Sequence, residues 1–205
     1  SAITTTGVGS FASLDISGDI DVDGTTNLDV VDIDGATQID ATVTVGVDDT
    51  GYDVKFFGAT SGSYMLWDES ADDLILGGAA RMGIGTATPT ATLTVEGNVV
   101  AKTDTDTSNT GSVTLDFAAN QNFVLTLTGN VTLANPTTEV VGQSGFITLI
   151  QDGTGGRTLS LGTDYETAGG AGITLTATAS ATDIVPYVVS AAGRILLGAP
   201  QLAFS

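Results

Sequence analysis

The chain lacks the side chains on which most catalytic and metal sites depend. Its 205 residues include no cysteine and no histidine. The usual zinc and copper ligands, imidazole bases and thiolate nucleophiles are therefore missing, and no disulfide can form. Because no serine can pair with a histidine, we expect no catalytic residue and no enzymatic activity.

Positive charge is also scarce. The chain has 24 acidic residues and 5 basic ones, which gives a net charge of −19. The bases stand singly in the sequence, so no basic patch is available to neutralise phosphates, and we expect neither nucleic-acid nor membrane binding. The longest apolar runs reach only about ten residues, half of what a membrane-spanning helix needs. The first residues have no basic n-region and no apolar h-region, so no signal peptide is expected.

The composition that remains favours strands throughout the chain. Threonine, valine, isoleucine and glycine dominate, and apolar and polar residues alternate in many short segments. Alternation with a period of two is typical of a half-buried strand. The sequence therefore predicts an all-β protein, and shifts in composition divide it into three regions: 1–54, 55–103 and 104–205.

Residues 1–54 form an acidic repeat with eleven aspartates, no glutamate and no base. The segment Asp21–Asp29 recurs eleven residues later as Asp32–Asp40, each copy carrying an apolar stripe one side chain wide. An isolated copy cannot bury such a stripe, whereas three chains around one axis can, which predicts a trimeric β-shaft of intertwined short strands. A single-chain β-solenoid is the alternative, but it needs more and longer rungs. The predicted trimer core consists of Ile20, Val22, Leu28, Val30, Ile33 and Ile39.

The other two regions differ in their glycine content and regularity. Residues 55–103 are expected to be a glycine-rich connector with short β segments. Residues 104–205 are expected to form a compact antiparallel β-sandwich of jelly-roll type, because eight short alternating segments are separated by turn residues. The predicted strands are 112–117, 122–127, 130–134, 145–151, 157–161, 172–177, 183–189 and 194–198.

A weak cation site is a hypothesis for the acidic repeat. Asp19, Asp21 and Asp23 have the spacing of the first acids of an EF-hand loop, but Val30 stands where that loop needs a glutamate. A solvated acidic strand face explains the same pattern. Threefold copying would nevertheless stack carboxylates about 7 Å apart along each strand, which favours loose Ca²⁺ or Mg²⁺ binding. We expect no other cofactor.

Two groups of residues are candidates for sugar contact. Trp67 and Tyr64 precede several acids in the connector, where Trp67 either packs in the trimer interface or stacks on a sugar ring. In the long loop 162–172, Tyr165 stands between Asp164 and Glu166 and either stacks on a sugar or covers the edge of the core. Carboxylates beside Trp67 also raise the alternative of a glycosidase, although any Asp-x-Asp pair on a strand meets the spacing it needs.

The connector also carries a motif that resembles a known family. Residues 83–98 follow the pattern GIGT-x-x-P-x-x-x-L-x-V-x-G-N that is common in bacteriophage tail fibres and related virion appendages. Residues 125–133 and 142–145 are similar to C-terminal domains of fibre proteins from marine and cyanobacterial phages. The resemblance implies an elongated homotrimer assembled in the host cytoplasm and displayed on the virion surface. It also implies attachment to capsid, tail or baseplate proteins.

The function expected from this resemblance is that of a structural virion fibre that contacts a host-surface glycan. Two alternatives stay open. One is a capsid decoration or head-fibre protein with no receptor role, and the other is a polysaccharide depolymerase.

Overall fold

The computed structural model describes residues 17, 26 and 30–204. The chain divides into two units, Ser1–Ala80 and Arg81–Ser205. Within the described residues there are thirteen strands and one short 3-10 turn, Ala168–Gly170, so the predicted all-β class is confirmed. Over the same residues, no helix has the length and apolarity that crossing a membrane requires.

The first unit contains a three-stranded antiparallel sheet. Its strands are β1 (Val54–Phe57), β2 (Tyr64–Asp68) and β3 (Asp73–Gly77), and β2 lies in the middle. The register pairs Trp67 with both Val54 and Leu74. Since neighbouring residues of a strand point to opposite faces, this register assigns every side chain of the sheet to one of two faces.

The second unit begins with a small parallel pair and continues into an eight-stranded sheet. The parallel pair consists of β4 (Met82–Ile84) and β5 (Leu93–Val95). The large sheet has the order β10-β12-β11-β8-β7-β6, with β13 paired to β11 and β9 paired to β7. Its strands are β6 (Thr103–Thr114), β7 (Asn122–Ala134), β8 (Ser144–Gln151), β9 (Leu159–Leu161), β10 (Tyr165–Thr167), β11 (Thr182–Ala191), β12 (Arg194–Leu197) and β13 (Gln201–Phe204).

The long strands β6 and β7 are parallel although only seven residues join them. The connection 115–121 spans at most about 28 Å, whereas β6 would be about 36 Å long if it were straight. Both strands must therefore curve. The bend lies near Gly111, whose φ is +70°, and Gly129, where a Cβ would clash with the side chain of Thr110. The strand register shifts at the same place, between Asn109 and Gly111.

The large sheet curls around one core. From β7 the pairing runs through β8, β11 and β12 to β10, and β9, which precedes β10 by only three residues, pairs again with β7. The inward side chains share a single buried cluster that includes Phe117, Phe123 and Tyr187. The ring of Phe117 lies 5.0 Å from that of Phe123 and 5.2 Å, edge to face, from that of Tyr187.

The observed sheet differs in detail from the predicted jelly-roll-like sandwich. Antiparallel pairs join β11 to β8, β12 and β13, as expected, but four pairs are parallel. The predicted strands 122–127 and 130–134 are one strand, β7. The predicted strand 172–177 is irregular, although Ile173 and Leu175 still pack against the core.

A glycine-rich loop connects β8 to β9. Both strands run parallel to β7, so this loop leaves the sheet instead of making a hairpin. Asp152 closes the loop by accepting hydrogen bonds from Thr154 N, Gly155 N and the Arg157 guanidinium, the last at 2.7 Å. The Arg157 guanidinium, followed by the Gly155 N–H, lowers the pKa of Asp152 from its ordinary 3.8 to about 2.

This ion pair predicts a pH dependence of stability with a defined sign. A carboxylate whose pKa is lower in the folded state stabilises fully above its unfolded pKa, and the contribution is lost as the pH falls through the folded pKa. The melting temperature of the wild type should therefore exceed that of Asp152→Asn at pH 5, and the difference should shrink between about pH 4 and pH 2. Arg157→Ala should show the same trend. A difference that is constant from pH 5 to pH 2 would contradict the assignment.

Candidate functional site

The five residues predicted to bind a receptor belong to two different units of the chain. Tyr64 and Trp67 project from opposite faces of the first sheet, because they stand three positions apart on β2 and side chains an odd number of positions apart point to opposite faces. Lys55 Nζ lies 3.9 Å from the centroid of the Tyr64 ring, which occupies one side of that ring. Tyr165, Asp164 and Glu166 belong to the second unit.

Trp67 lies at a cleft of about 500 Å³ in the first unit. Its side chain is 41% exposed, and the turn 47–51 forms the opposite wall. The cleft is acidic, with carboxylates contributed by Asp48, Asp49, Glu69 and Asp72. These acids do not make a metal centre: in the part of the chain that the structure describes, no three acidic side chains come together closely enough to hold an ion.

The residues proposed for a cation site and half of those proposed for the trimer core lie outside the described residues. They are Asp19, Asp21, Asp23, Ile20, Val22 and Leu28. The other predicted core residues, Val30, Ile33 and Ile39, are described, and their exposed fractions lie between 56% and 85%. The single chain thus leaves this part of the apolar stripe open to solvent.

Tyr165 is part of the core and is not presented to solvent. Only 5% of the residue is exposed, so of the two expectations, stacking on a sugar and covering the edge of the core, the burial favours the second. The reason is that residues 165–167 are not a loop but strand β10, which pairs with β12 and turns Tyr165 inward. Burial raises the pKa of the Tyr165 phenol, and the carboxylates of Glu139 and Asp164 raise it further.

A second cleft, of about 340 Å³, lies beside this segment. Glu166 and Thr167 supply its polar side chains, and Leu161 supplies an apolar wall. Gly162, Gly170 and Gly172 complete the lining, so backbone groups are accessible without side chains in front of them. Two of the residues predicted from this segment, Tyr165 and Glu166, therefore border the same cleft, whereas Asp164 does not.

Hydrogen bonds fix the backbone on both sides of this cleft. Gly162 N donates to Leu133 O at 2.7 Å, and the amide of Asn135 holds Thr163 and Asp164 in the turn that follows. On the far side, Gly172 N donates to Thr167 Oγ1 at 2.9 Å. The backbone around the cleft is therefore held by the sheet and by a local turn.

The charge in this cleft comes from one ion pair. Arg194 on β12 donates from Nε and Nη2 to the two carboxylate oxygens of Glu166, each at 2.9 Å. The guanidinium lowers the pKa of Glu166 and keeps the carboxylate ionised. Because the pair is about half exposed, it orients the carboxylate more than it stabilises the fold. An oriented acceptor beside a hydroxyl and open backbone groups is chemistry suited to a polyhydroxylated ligand.

The comparison with known families gives one match. Residues 107–193 match the family described as "Putative phage tail fibre C-terminal domain", a range that runs from within β6 to the end of the turn after β11 and includes the Glu166 cleft. No curated protein matches the chain. No solved structure matches it either. Residues 107–193 are therefore similar to phage tail fibre C-terminal domains, and this match supports the resemblance to phage tail fibres that the sequence motifs indicate.

Proposed function

We propose that the chain is a homotrimeric virion fibre whose C-terminal domain contacts a host-surface glycan. The observation that carries the contact is the cleft beside β10, where Glu166, Thr167 and three glycines surround about 340 Å³. This volume lies at the lower end of the range for small-ligand sites, about 300–1,000 Å³. A sugar offers many hydroxyls, and the cleft offers acceptors and backbone groups to pair with them.

The trimer is supported by the apolar residues that one chain leaves exposed. Val30, Ile33 and Ile39 recur along the acidic repeat, and within the described residues no second layer covers them. Three copies would bury one another's stripes while the aspartates remain in water. Light scattering should give three times 20.5 kDa, about 61.5 kDa, and a mass of a single chain would contradict the proposal.

The glycan contact is tested with a pair of variants that break the same ion pair from opposite sides. Glu166→Ala removes the proposed acceptor, and it should weaken binding on an array of bacterial surface glycans about tenfold or more, which corresponds to about 1.4 kcal/mol. Arg194→Ala leaves the carboxylate in place and removes only the guanidinium that orients it, so this variant should lose clearly less binding than Glu166→Ala does. Equal losses in both variants would contradict a direct contact of Glu166.

Electron microscopy of virions carrying a labelled chain separates this function from capsid decoration. Density at fibre tips is expected. Density over the whole capsid lattice, together with a silent glycan array, would support the decoration alternative. Release of reducing ends from a bound polysaccharide would instead support the depolymerase alternative.

A further inference from the structure

Another cleft, the Phe146 cleft, lies on the outer face of the large sheet over β8 and β11. Its volume is about 400 Å³, and of the described residues that line it none is charged. Phe146 is 54% exposed, whereas Ile147, the next residue of β8, is buried in the core, so Phe146 points outward. Pro186 on β11 pairs with Phe146 and lines the same cleft, which gives the cleft an apolar floor.

Two amide side chains are held beside the Phe146 ring. Asn122 Oδ1 accepts a hydrogen bond from Phe146 N at 3.0 Å, and Gln121 Nε2 donates to Ser144 O at 2.8 Å. A backbone N–H can bind only the amide oxygen, and a carbonyl can bind only the amide nitrogen. Asn122 Nδ2 therefore stays available as a donor, and Gln121 Oε1 stays available as an acceptor. Gly145 permits this close approach, because a Cβ there would clash with Gln121 O.

This combination suits an uncharged sugar ring. A sugar ring has an apolar C–H face that packs on an aromatic side chain, and its hydroxyls both donate and accept hydrogen bonds. The Phe146 cleft offers an aromatic ring together with one oriented donor and one oriented acceptor. A cation or a basic peptide would instead favour the acidic surfaces that a net charge of −19 provides elsewhere on the chain.

The strand register connects the Phe146 cleft with the cleft at Glu166. Ser144 pairs with Val188, Val188 with Leu196, and Leu196 with Glu166, which makes one row across four strands. The neighbours of Val188 and Leu196 along their strands are buried, so the row lies on the outer face. Between its ends lies a shallow cleft of about 290 Å³ that Val188 and Leu196 line. Three strand spacings of about 4.8 Å make the row about 14 Å long.

We propose that these three clefts form one surface for an uncharged oligosaccharide, which lies across β10, β12, β11 and β8 and stacks one sugar ring on Phe146. The proposal rests on the proposed glycan contact at Glu166 and extends it from a single contact to a chain of sugars. A row of about 14 Å is longer than one sugar ring. The only charged side chain that lines the three clefts within the described residues is Glu166, and Arg194 balances its charge.

A matched pair of phenylalanine variants tests the surface. The probe is a set of fragments of increasing length from an uncharged bacterial polysaccharide that binds on the glycan array, and the measurement is titration calorimetry. Phe146→Ala should weaken binding of the long fragments about fivefold or more, because a stacked aromatic ring is lost. Phe204→Ala removes a ring on β13 that is 49% exposed and lines none of the three clefts, so this variant should bind as the wild type does. Because both rings are about half exposed, neither substitution should unfold the domain.

The stoichiometry decides whether the clefts act together. One long fragment should bind per chain, and Phe146→Ala and Glu166→Ala should each weaken that single binding event. Two fragments per chain, one of which is lost in each variant, would overturn the continuous surface.

Three further outcomes would count against the proposal. Equal binding by Phe146→Ala and Phe204→Ala, with Glu166→Ala still weakened, would overturn it and leave the Glu166 contact standing. A lower mass of Phe146→Ala than of the wild type in light scattering would show that this face packs between copies, which would also overturn it. A wild type that binds no glycan on the array would instead contradict the proposed function itself.

Discussion

Asp183→Ala should lower the free energy of unfolding of the C-terminal domain by about 4 kcal/mol, since hydrogen bonds to a buried charged group contribute about 1.5–3 kcal/mol each. Asp183 is only 2% exposed, yet its carboxylate accepts three hydrogen bonds. Thr176 donates from N at 2.7 Å and from Oγ1 at 2.8 Å, and Ala203 N donates at 2.9 Å. The carboxylate thereby fastens both the irregular segment before β11 and the last strand, β13. Its removal would leave the backbone N–H groups of Thr176 and Ala203 without their acceptor.

The measurement is urea denaturation followed by circular dichroism, with Trp67 fluorescence reporting separately on the first unit. Asp116→Ala is the matched control, because Asp116 also accepts two backbone N–H groups, from Ala118 and Ala119, but in an exposed turn. That variant should lose about 1 kcal/mol or less, since water can replace the lost acceptor. Losses of similar size in the two variants would show that Asp183 does not hold the domain together.

The inward positions of the large sheet follow from the sequence, and its strand boundaries do not. Phe123, Leu125, Leu127, Val131 and Leu133 are all odd-numbered and all buried. The alternation thus continues unbroken through Gly129-Asn130, and it marks one strand where the residue types suggested a turn. The glycine is needed for the close approach of Thr110 at the bend, and this need appears only when β6 lies beside β7.

The directions of the paired strands could not be predicted from the sequence for a related reason. A connection as short as 115–121 normally joins antiparallel neighbours, and only the strong curvature of β6 and β7 lets it join parallel ones. Segment 172–177 shows the same limit. Its alternation correctly marks Ile173 and Leu175 as packed, but the partner of Thr176 N is the Asp183 side chain and not a strand.

Pro186 illustrates how a local rule gives way to topology. A proline inside a strand predicts an edge strand or a bulge, yet β11 has neighbours on both sides. Pro186 lies where the neighbour of β11 changes from β13, which pairs at Ile184, to β12, which pairs at Tyr187. No ladder hydrogen bond requires the missing N–H at this break, and Pro186 O still accepts one from Gly198 N at 2.8 Å.

The segment of the candidate site follows from its composition, whereas the orientation of Tyr165 does not. Tyr165 between two acids does mark the segment that borders a cleft. A tyrosine in a loop and a tyrosine on a short strand look alike in sequence, however, and the pairing of β10 with the distant β12 decides which one it is. Glu139 has no signal in the sequence at all, because its carboxylate reaches Gly193 N across 54 residues.

Two tyrosine substitutions should have opposite effects on stability, and the larger effect follows from removing the ring. Tyr165→Ala should cost about 4 kcal/mol, as is typical for deletion of a buried aromatic ring. Tyr165→Phe should instead gain about 1 kcal/mol, because a buried hydroxyl without a partner loses its hydration and recovers nothing. The Tyr165 hydroxyl is buried and has no hydrogen-bond partner among the residues that the structure describes.

Tyr187→Phe makes the comparison decisive. Tyr187 Oη donates to Gln121 O at 2.6 Å, so the same loss of one oxygen should destabilise the domain by about 1 kcal/mol there. If Tyr165→Phe destabilised the domain as much as Tyr187→Phe, the Tyr165 hydroxyl would have to be paired in solution. Its acceptor would then be the nearby Glu139 carboxylate, reached through a bridging water. Glu139 Oε2 is also buried and has no partner among the described residues. Glycan binding of Tyr165→Phe should equal that of the wild type in either case, because the substitution removes only a buried hydroxyl.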